Sequence, residues 1–271
     1  MAINDVSLTA GMRANLLALQ DTVNLLNRTQ SRLSTGKKVN TAIDNPVSFF
    51  ASQALTSRAS VIDSLKDAMG QAVQTITAAD KGIKAITSMI EQAKGIAQSA
   101  QSAVPQSAEM TSLQAQYNTL RTQLTELAED SGYKGKNLLS DDDLVVKFEG
   151  TTLTVEGFDA SAAGLLITAA DWSAADPSAA IDADVVLLDN ALVTLRQESS
   201  KMSGNLSIIT VRQEFSTNMI NTLTEGSDKL TLADTNEEGA NMLMLQTRQS
   251  LSTTALSLSA QAAQSVLRLF Q

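Results

Sequence analysis

Apolar residues recur along this chain at alternating steps of three and four, the spacing that lines one face of a helix. Met12, Leu16, Leu19, Val23, Leu26, Gln30 and Leu33 form a heptad stripe with one polar interruption. It closes at Ser34-Thr35-Gly36, where glycine readily takes the left-handed conformation that ends a helix. Residues 37–48 are polar loop chemistry around Asp44-Asn45-Pro46. A second stripe, Ile62, Leu65, Met69, Ala72, Ile76, Ala79, Ile83, Ile86, Ile90, Ala93 and Ala97, predicts one helix from about Val47 to Ser102, roughly 80 Å long at 1.5 Å per residue. Gly70, Gly82 and Gly95 lie off this seam and are expected only to weaken the helix locally. Pro105 breaks it.

A third stripe, Met110, Leu113, Tyr117, Leu120, Leu124 and Leu127, runs to Gly132. A fourth starts behind Asp176-Pro177 and runs from Ile181 to Leu230 through Leu188, Leu195, Met202 and Ile209. Between them, Leu144 to Phe148 and Thr151 to Val155 flank Glu149-Gly150, a β-hairpin signal, and Leu165 to Thr168 is expected to add a strand. This middle is read as a small appendage, too short for a large core. In the last segment, 249–271, Arg268 is the single charge, and heptad spacing continues through Met244, Leu251, Ala255, Leu258, Ala262 and Leu269. A helix almost without charge and rich in small polar residues suits close packing on several sides. The pattern therefore predicts a mainly α fold: a long coiled-coil-like helical bundle with a small β-hairpin-containing insert.

Composition narrows the function. The 271 residues include no cysteine and no histidine, which removes thiolate metal sites and the commonest neutral-pH general base. Aromatic residues are 3%, so aliphatic seams are expected rather than a ligand pocket. No catalytic residue, metal ligand or cofactor site is identified, which argues against an enzyme. Charge is uneven: Leu139 to Asp184 carries ten acidic residues against Lys147, a net of -9, and the rest carries 19 of each sign. The absence of a basic stripe argues against nucleic acid as a partner, since binding it needs clustered Lys and Arg to displace counterions. No window has the apolar length to span a membrane. The first residues lack the compact apolar run of a secretory signal, so the protein is expected either to stay inside or to leave by a route that reads no cleaved signal. Asp141-Asp142-Asp143 lacks the ligand spacing of a calcium loop and reads as a solvated turn. Asn27-Arg28-Thr29 and Asn205-Leu206-Ser207 match a glycosylation pattern by chance, since both fall on packed helices.

The stretch from Arg32 to Pro46, RLSTGKKVNTAIDNP, resembles the N-terminal signature of bacterial flagellins. The C-terminal stretch, with Ala255-Leu256, Leu258-Ser259, Ala260-Gln261 and Ser265 to Phe270, resembles the flagellin end. The resemblance implies a subunit of the flagellar filament that assembles with itself into a helical polymer outside the cell. It implies paired terminal helices, 1–35 and 235–271, forming an inner tube. Residues 36–138 with 177–234 then form a long helical rod domain, and 139–176 form a small acidic solvent-facing insert. Polymerisation is expected to rest on Leu16, Leu19, Val23, Leu26, Leu33, Leu251, Leu258, Val266, Leu267, Leu269 and Phe270. Ser34, Gly36, Asn40, Asp44 and Asn45 are expected in a loop between the layers. The implied partners are the flagellar cap protein, hook-filament junction proteins and a cytoplasmic export chaperone, with export unfolded through the flagellar type III channel. By analogy, Thr151 and Ser161 are candidates for O-glycosylation.

Two departures matter. Pro46, Val47 and Ser48 stand where many relatives have Ala or Gly. Ser88 to Lys94 occupies the place of an arginine-containing pattern read by the animal innate flagellin receptor, but it contains no arginine and has Glu91, so weak or absent receptor binding is expected. A hook-filament junction protein, whose termini are related, is the alternative reading.

Overall fold

A computed structural model describes residues 10–173 and 176–269, apart from the side chains of 266–269. The described residues run α1 (Ala10–Thr35), α2 (Pro46–Ser102), α3 (Ala108–Asp130), β1 (Leu144–Lys147), β2 (Thr152–Val155), α4 (Pro177–Thr231) and α5 (Thr235–Leu269). The fold is mainly α with one small antiparallel hairpin, as the pattern predicts. Two compact units are present. One combines the residues up to Ser57 with those from Thr222 onward, and the other is Arg58–Asn221. Their divisions fall inside α2 and α4.

The larger unit is built on the predicted seams. Ile76, Ile86 and Ile90 of α2, Tyr117 and Leu124 of α3, and Ile181, Leu188, Leu195 and Ile209 of α4 are buried in one core. Each such side chain contributes about 1.5–3 kcal/mol when fully buried. Ser107 caps α3, its hydroxyl accepting the Met110 N–H at 3.2 Å. Gly82 does more than weaken the helix locally, as an off-seam glycine is expected to. A Cβ there would stand 2.5 Å from the Leu139 Cδ1 and would also overlap the Ser131 side chain, so glycine lets α2 meet the chain after α3.

The insert has no separate core. Leu138, Leu139, Val155, Ile167 and Trp172 are buried in the core of the larger unit. In the hairpin, Leu144 pairs with Val155 and Val146 with Leu153, and Val146 and Val155 are its buried positions. The expected strand at Leu165 to Thr168 is absent. Leu165 and Ile167 instead donate back to Ser161 and Ala162 at 2.9 and 2.8 Å, with Leu166 at φ 57. Polar side chains of α3 take the place of a neighbouring strand. Arg121 Nε donates to the Ile167 carbonyl at 2.9 Å, Asn118 both accepts from and donates to the Ala170 backbone at 2.9 and 3.2 Å, and Gln114 accepts the Trp172 N–H at 3.3 Å. Positions 114, 118 and 121 share one helix face, so residues 167–172 run along it as an extended strap.

The acidic middle is not all surface. Asp184 is 6% exposed, and its carboxylate accepts Trp172 Nε1 at 2.8 Å and the Thr168 hydroxyl at 3.3 Å. In the Asp141 to Asp143 turn, Asp142 accepts the Asn137 N–H at 3.0 Å and Asp143 the Gly157 N–H at 3.1 Å. The Asn137 N–H, with the Lys136 ammonium beside it, holds the Asp142 carboxyl below its usual range.

Candidate functional site

In the smaller unit α1 and α5 pack along their length. Their facing positions step by threes and fours, with one step of seven from Met12: Met12, Leu19, Thr22, Leu26, Thr29 and Leu33 on α1, against Glu238, Met242, Leu245, Gln249, Ser252 and Leu256 on α5. Met12, Thr22 and Thr29 are the buried residues of α1. Sequence reading missed the two threonines because it scored apolar residues alone. Their seven-residue spacing was the available signal. The Thr22 hydroxyl is satisfied by the Ala18 carbonyl at 2.7 Å, so its burial leaves no unpaired donor. Near the start of α5, Glu238 is buried and Arg32 donates to it at 2.8 Å.

The predicted polymerisation residues divide by position. Leu16, Leu19, Val23, Leu26 and Leu33 are half-buried on α1. Leu251 and Leu258 are 65% and 61% exposed, and with Leu243 and Met244 they form an apolar stripe on α5 away from its seam with α1. Phe270 and the side chains of Val266, Leu267 and Leu269 lie outside the described residues. Thus α5 carries two stripes, one facing α1 and one open. A helix whose open face is apolar has surface still to bury.

The loop between α1 and α2 is held by backbone and carboxylate. Gly36, at φ 69, ends α1, and its carbonyl accepts the Ala233 N–H at 3.0 Å. Lys38 donates its backbone N–H to the Thr231 carbonyl at 2.7 Å. Asn40 reaches back to the Thr35 hydroxyl at 2.9 Å. Asp44 accepts the backbone N–H groups of Thr41 and Asn40 at 2.9 and 3.1 Å and the Thr41 hydroxyl at 3.1 Å. Those donors hold its carboxyl below the usual range, first through Thr41 and then Asn40. Asn45 caps α2, its side-chain oxygen accepting the Ser48 N–H at 3.1 Å. Ser34 is exposed. Ile43, Val47 and Phe50 are exposed as well.

Thr151 is exposed in the hairpin turn, its carbonyl accepting the Phe148 N–H at 2.8 Å. Ser161 is half-buried, its hydroxyl accepting the Gly164 N–H at 3.2 Å. Among the described residues no group of three Asp or Glu is arranged to hold a metal ion, and no helix is long and apolar enough to cross a membrane.

A family model described as the bacterial flagellin N-terminal helical region matches residues 3–143. Flagellin FljO of Caulobacter vibrioides is 26% identical over 275 residues, with 100% of both chains covered. The flagellin of Brucella melitensis is 24% identical, with 99% of this chain and 98% of that one covered. Among solved structures, a crystal structure of Bacillus cereus flagellin matches 56% of this chain and 88% of that one, with 16% identity and a TM-score of 0.47.

Proposed function

This chain belongs to the bacterial flagellins, and from that premise we propose that it is a structural subunit of the flagellar filament, joining identical copies into an extracellular helical polymer that drives swimming. The observation that carries the mechanism is the open apolar stripe of α5, Leu243, Met244, Leu251 and Leu258. Burying such side chains stabilises an interface by about 2 kcal/mol each before the costs of association. Contacts between unlike surfaces of identical subunits generate a helical array when the rotation they impose does not close a ring.

In this reading residues 1–35 and 235–271 line the inner tube, 36–138 with 177–234 form the outer rod, and 139–176 face solvent. The α1–α5 seam supports a pair of low intrinsic stability, because all of its facing positions except Met12 and Leu245 are polar or only half-buried and ordering each residue costs about 1–2 kcal/mol. Helix formation there completes on assembly, consistent with unfolded passage through the type III channel, a cytoplasmic chaperone holding the C-terminal segment, addition beneath a cap protein, and attachment to hook-filament junction proteins. For the innate receptor we propose weak binding. Ile90 and Ala93 point inward, Glu91 is exposed, and Lys94 is paired with Asp189 at 2.6 Å.

The test is seeded growth. Purified chain added to short sonicated filaments should elongate them repeatedly, giving long polymers by negative stain. Capping of the seeds without growth would favour a junction protein instead.

A further inference from the structure

Side chains that react readily with oxidants are few in this molecule. With no cysteine and no histidine, the thioether sulfurs of the nine methionines are the groups most open to attack by a peroxide. The single indole, that of Trp172, is fully buried. The fold sorts the methionines by access. Met12, Met69, Met110 and Met202 are at most 7% exposed, and Met89, Met219 and Met242 are half-buried. Among the described residues Met244 is the one exposed methionine, at 58%; Met1 lies outside them.

The helix itself produces the sharpest contrast. Met242 and Met244 are two residues apart on α5, which turns them about 200° from each other around its axis. Met242 stands in the seam with α1, flanked by the buried Glu238 and Leu245, and Met244 stands on the open side. There it shares a seven-residue register with Leu251 and Leu258, which continue the open apolar stripe. Access and position therefore coincide at one sulfur. The methionine that an oxidant meets first in the single chain belongs to the surface that assembly buries.

We propose that Met244 is an oxidative modification site that gates addition of the free subunit, with hydrogen peroxide or a related peroxide as the reagent. The sulfur lone pair takes one peroxide oxygen, the O–O bond breaks, and the proton on the transferred oxygen passes to the departing hydroxide. The thioether is oxidised to the sulfoxide and the peroxide is reduced to water. A flexible apolar side chain becomes a polar one, whose oxygen is hydrated in the single chain and loses that water in a packed interface. Folding of the single chain is spared, because Met244 already faces solvent. Methionine sulfoxide reductases, one for each sulfoxide epimer and supplied with a thiol reductant, reverse the change. The effect on growth rests on the filament reading, whereas the selectivity of oxidation stands on the single chain alone.

Purified chain treated with dilute hydrogen peroxide and mapped by peptide mass spectrometry should gain an oxygen at Met244 before Met89, Met219 or Met242. Earlier oxidation of any of those three would overturn the site. The oxidised chain should elongate short seeds slower by roughly tenfold or more, with helix content by circular dichroism unchanged. Met244→Leu keeps the stripe apolar and lacks the sulfur, so it should elongate seeds at close to the parental rate both before and after peroxide. Both sulfoxide reductases with dithiothreitol should restore elongation by the oxidised parent chain, which decides the matter even if Met244→Leu fails to fold. Equal elongation by oxidised and untreated parent, or equal loss in Met244→Leu, would overturn the gate and leave the filament reading intact. Failure of the untreated chain to elongate seeds would overturn the filament reading and the gate together, while the mass map would still decide the site.

Discussion

Trp172 donates its indole N–H to the carboxylate of Asp184 at 2.8 Å inside the larger unit, tying the acidic insert to the first turns of α4. The indole also meets the Tyr117 ring edge-on, with centroids 5.5 Å apart. Asp184→Ala would leave the Trp172 N–H without its buried acceptor, a loss of about 2 kcal/mol, whereas Asp184→Asn keeps an acceptor oxygen and should lose about half as much. Trp172 is the single tryptophan, so its fluorescence during urea unfolding reads this site directly. Equal stability of the alanine variant and the parent would refute the assignment.

Asn118 replaces a strand partner for Ala170, bonding both its N–H and its carbonyl. Asn118→Ala should cost about 1–2 kcal/mol, because the buried Ala170 N–H loses its acceptor while the Ala170 carbonyl keeps the Gln114 side-chain amide at 3.0 Å. Amide exchange at Ala170 should accelerate at least tenfold, with the hairpin amides unchanged. Uniform acceleration across the unit would mean that the strap does not open by itself.

Gly82→Ala tests the close approach of α2 to Leu139. Helix propensity alone favours alanine by about 1 kcal/mol. Overlap with the Ser131 and Leu139 side chains should reverse the sign, giving a net loss of about 1–3 kcal/mol and a lower Tm. Leu139→Ala in the Gly82→Ala background should recover part of the overlap energy, measured as coupling in a double-mutant cycle. A higher Tm for Gly82→Ala would show that the helices have room to part.

Asp44 predicts an acid-sensitive loop. Its carboxyl is held below the ordinary 3.8 by the donors from Thr41 and Asn40, so the folded state binds its proton less readily than the unfolded state. The stabilisation is therefore complete above pH 3.8 and is lost as pH falls through the lower folded value. The Asn40 and Thr41 amide resonances should titrate below pH 3.8, and Asp44→Asn should abolish that titration. Titration at or above 3.8 would contradict the loop geometry.

Leu251 and Leu258 separate assembly from folding. Replacing both with serine should slow seeded elongation more than tenfold while helix content by circular dichroism stays unchanged, since both side chains already face solvent in the single chain. Parallel loss of helix content would place them in the monomer's own packing.

The repeat of apolar residues by itself determined the helices, because a seam of Ile76, Ile83, Ile86 and Ile90 along one face has little alternative to a long packed helix. It also determined the hairpin register and the helix ends at Gly36 and Pro177, where local backbone preference decides. Local pattern had no means of telling which of the two α5 stripes faces α1. Leu251 and Leu258 share the same heptad spacing as Leu245 and Ser252, and the choice depends on Thr22 and Thr29 across the seam. Residues 165–168 look like a strand by composition, but strand formation requires an edge to pair with, and Arg121, Asn118 and Gln114 occupied those backbone groups first. Asp184 carried the same formal charge as its exposed neighbours in the acidic segment. Its burial was decided by an indole N–H twelve residues earlier that only the folded chain brings within 2.8 Å.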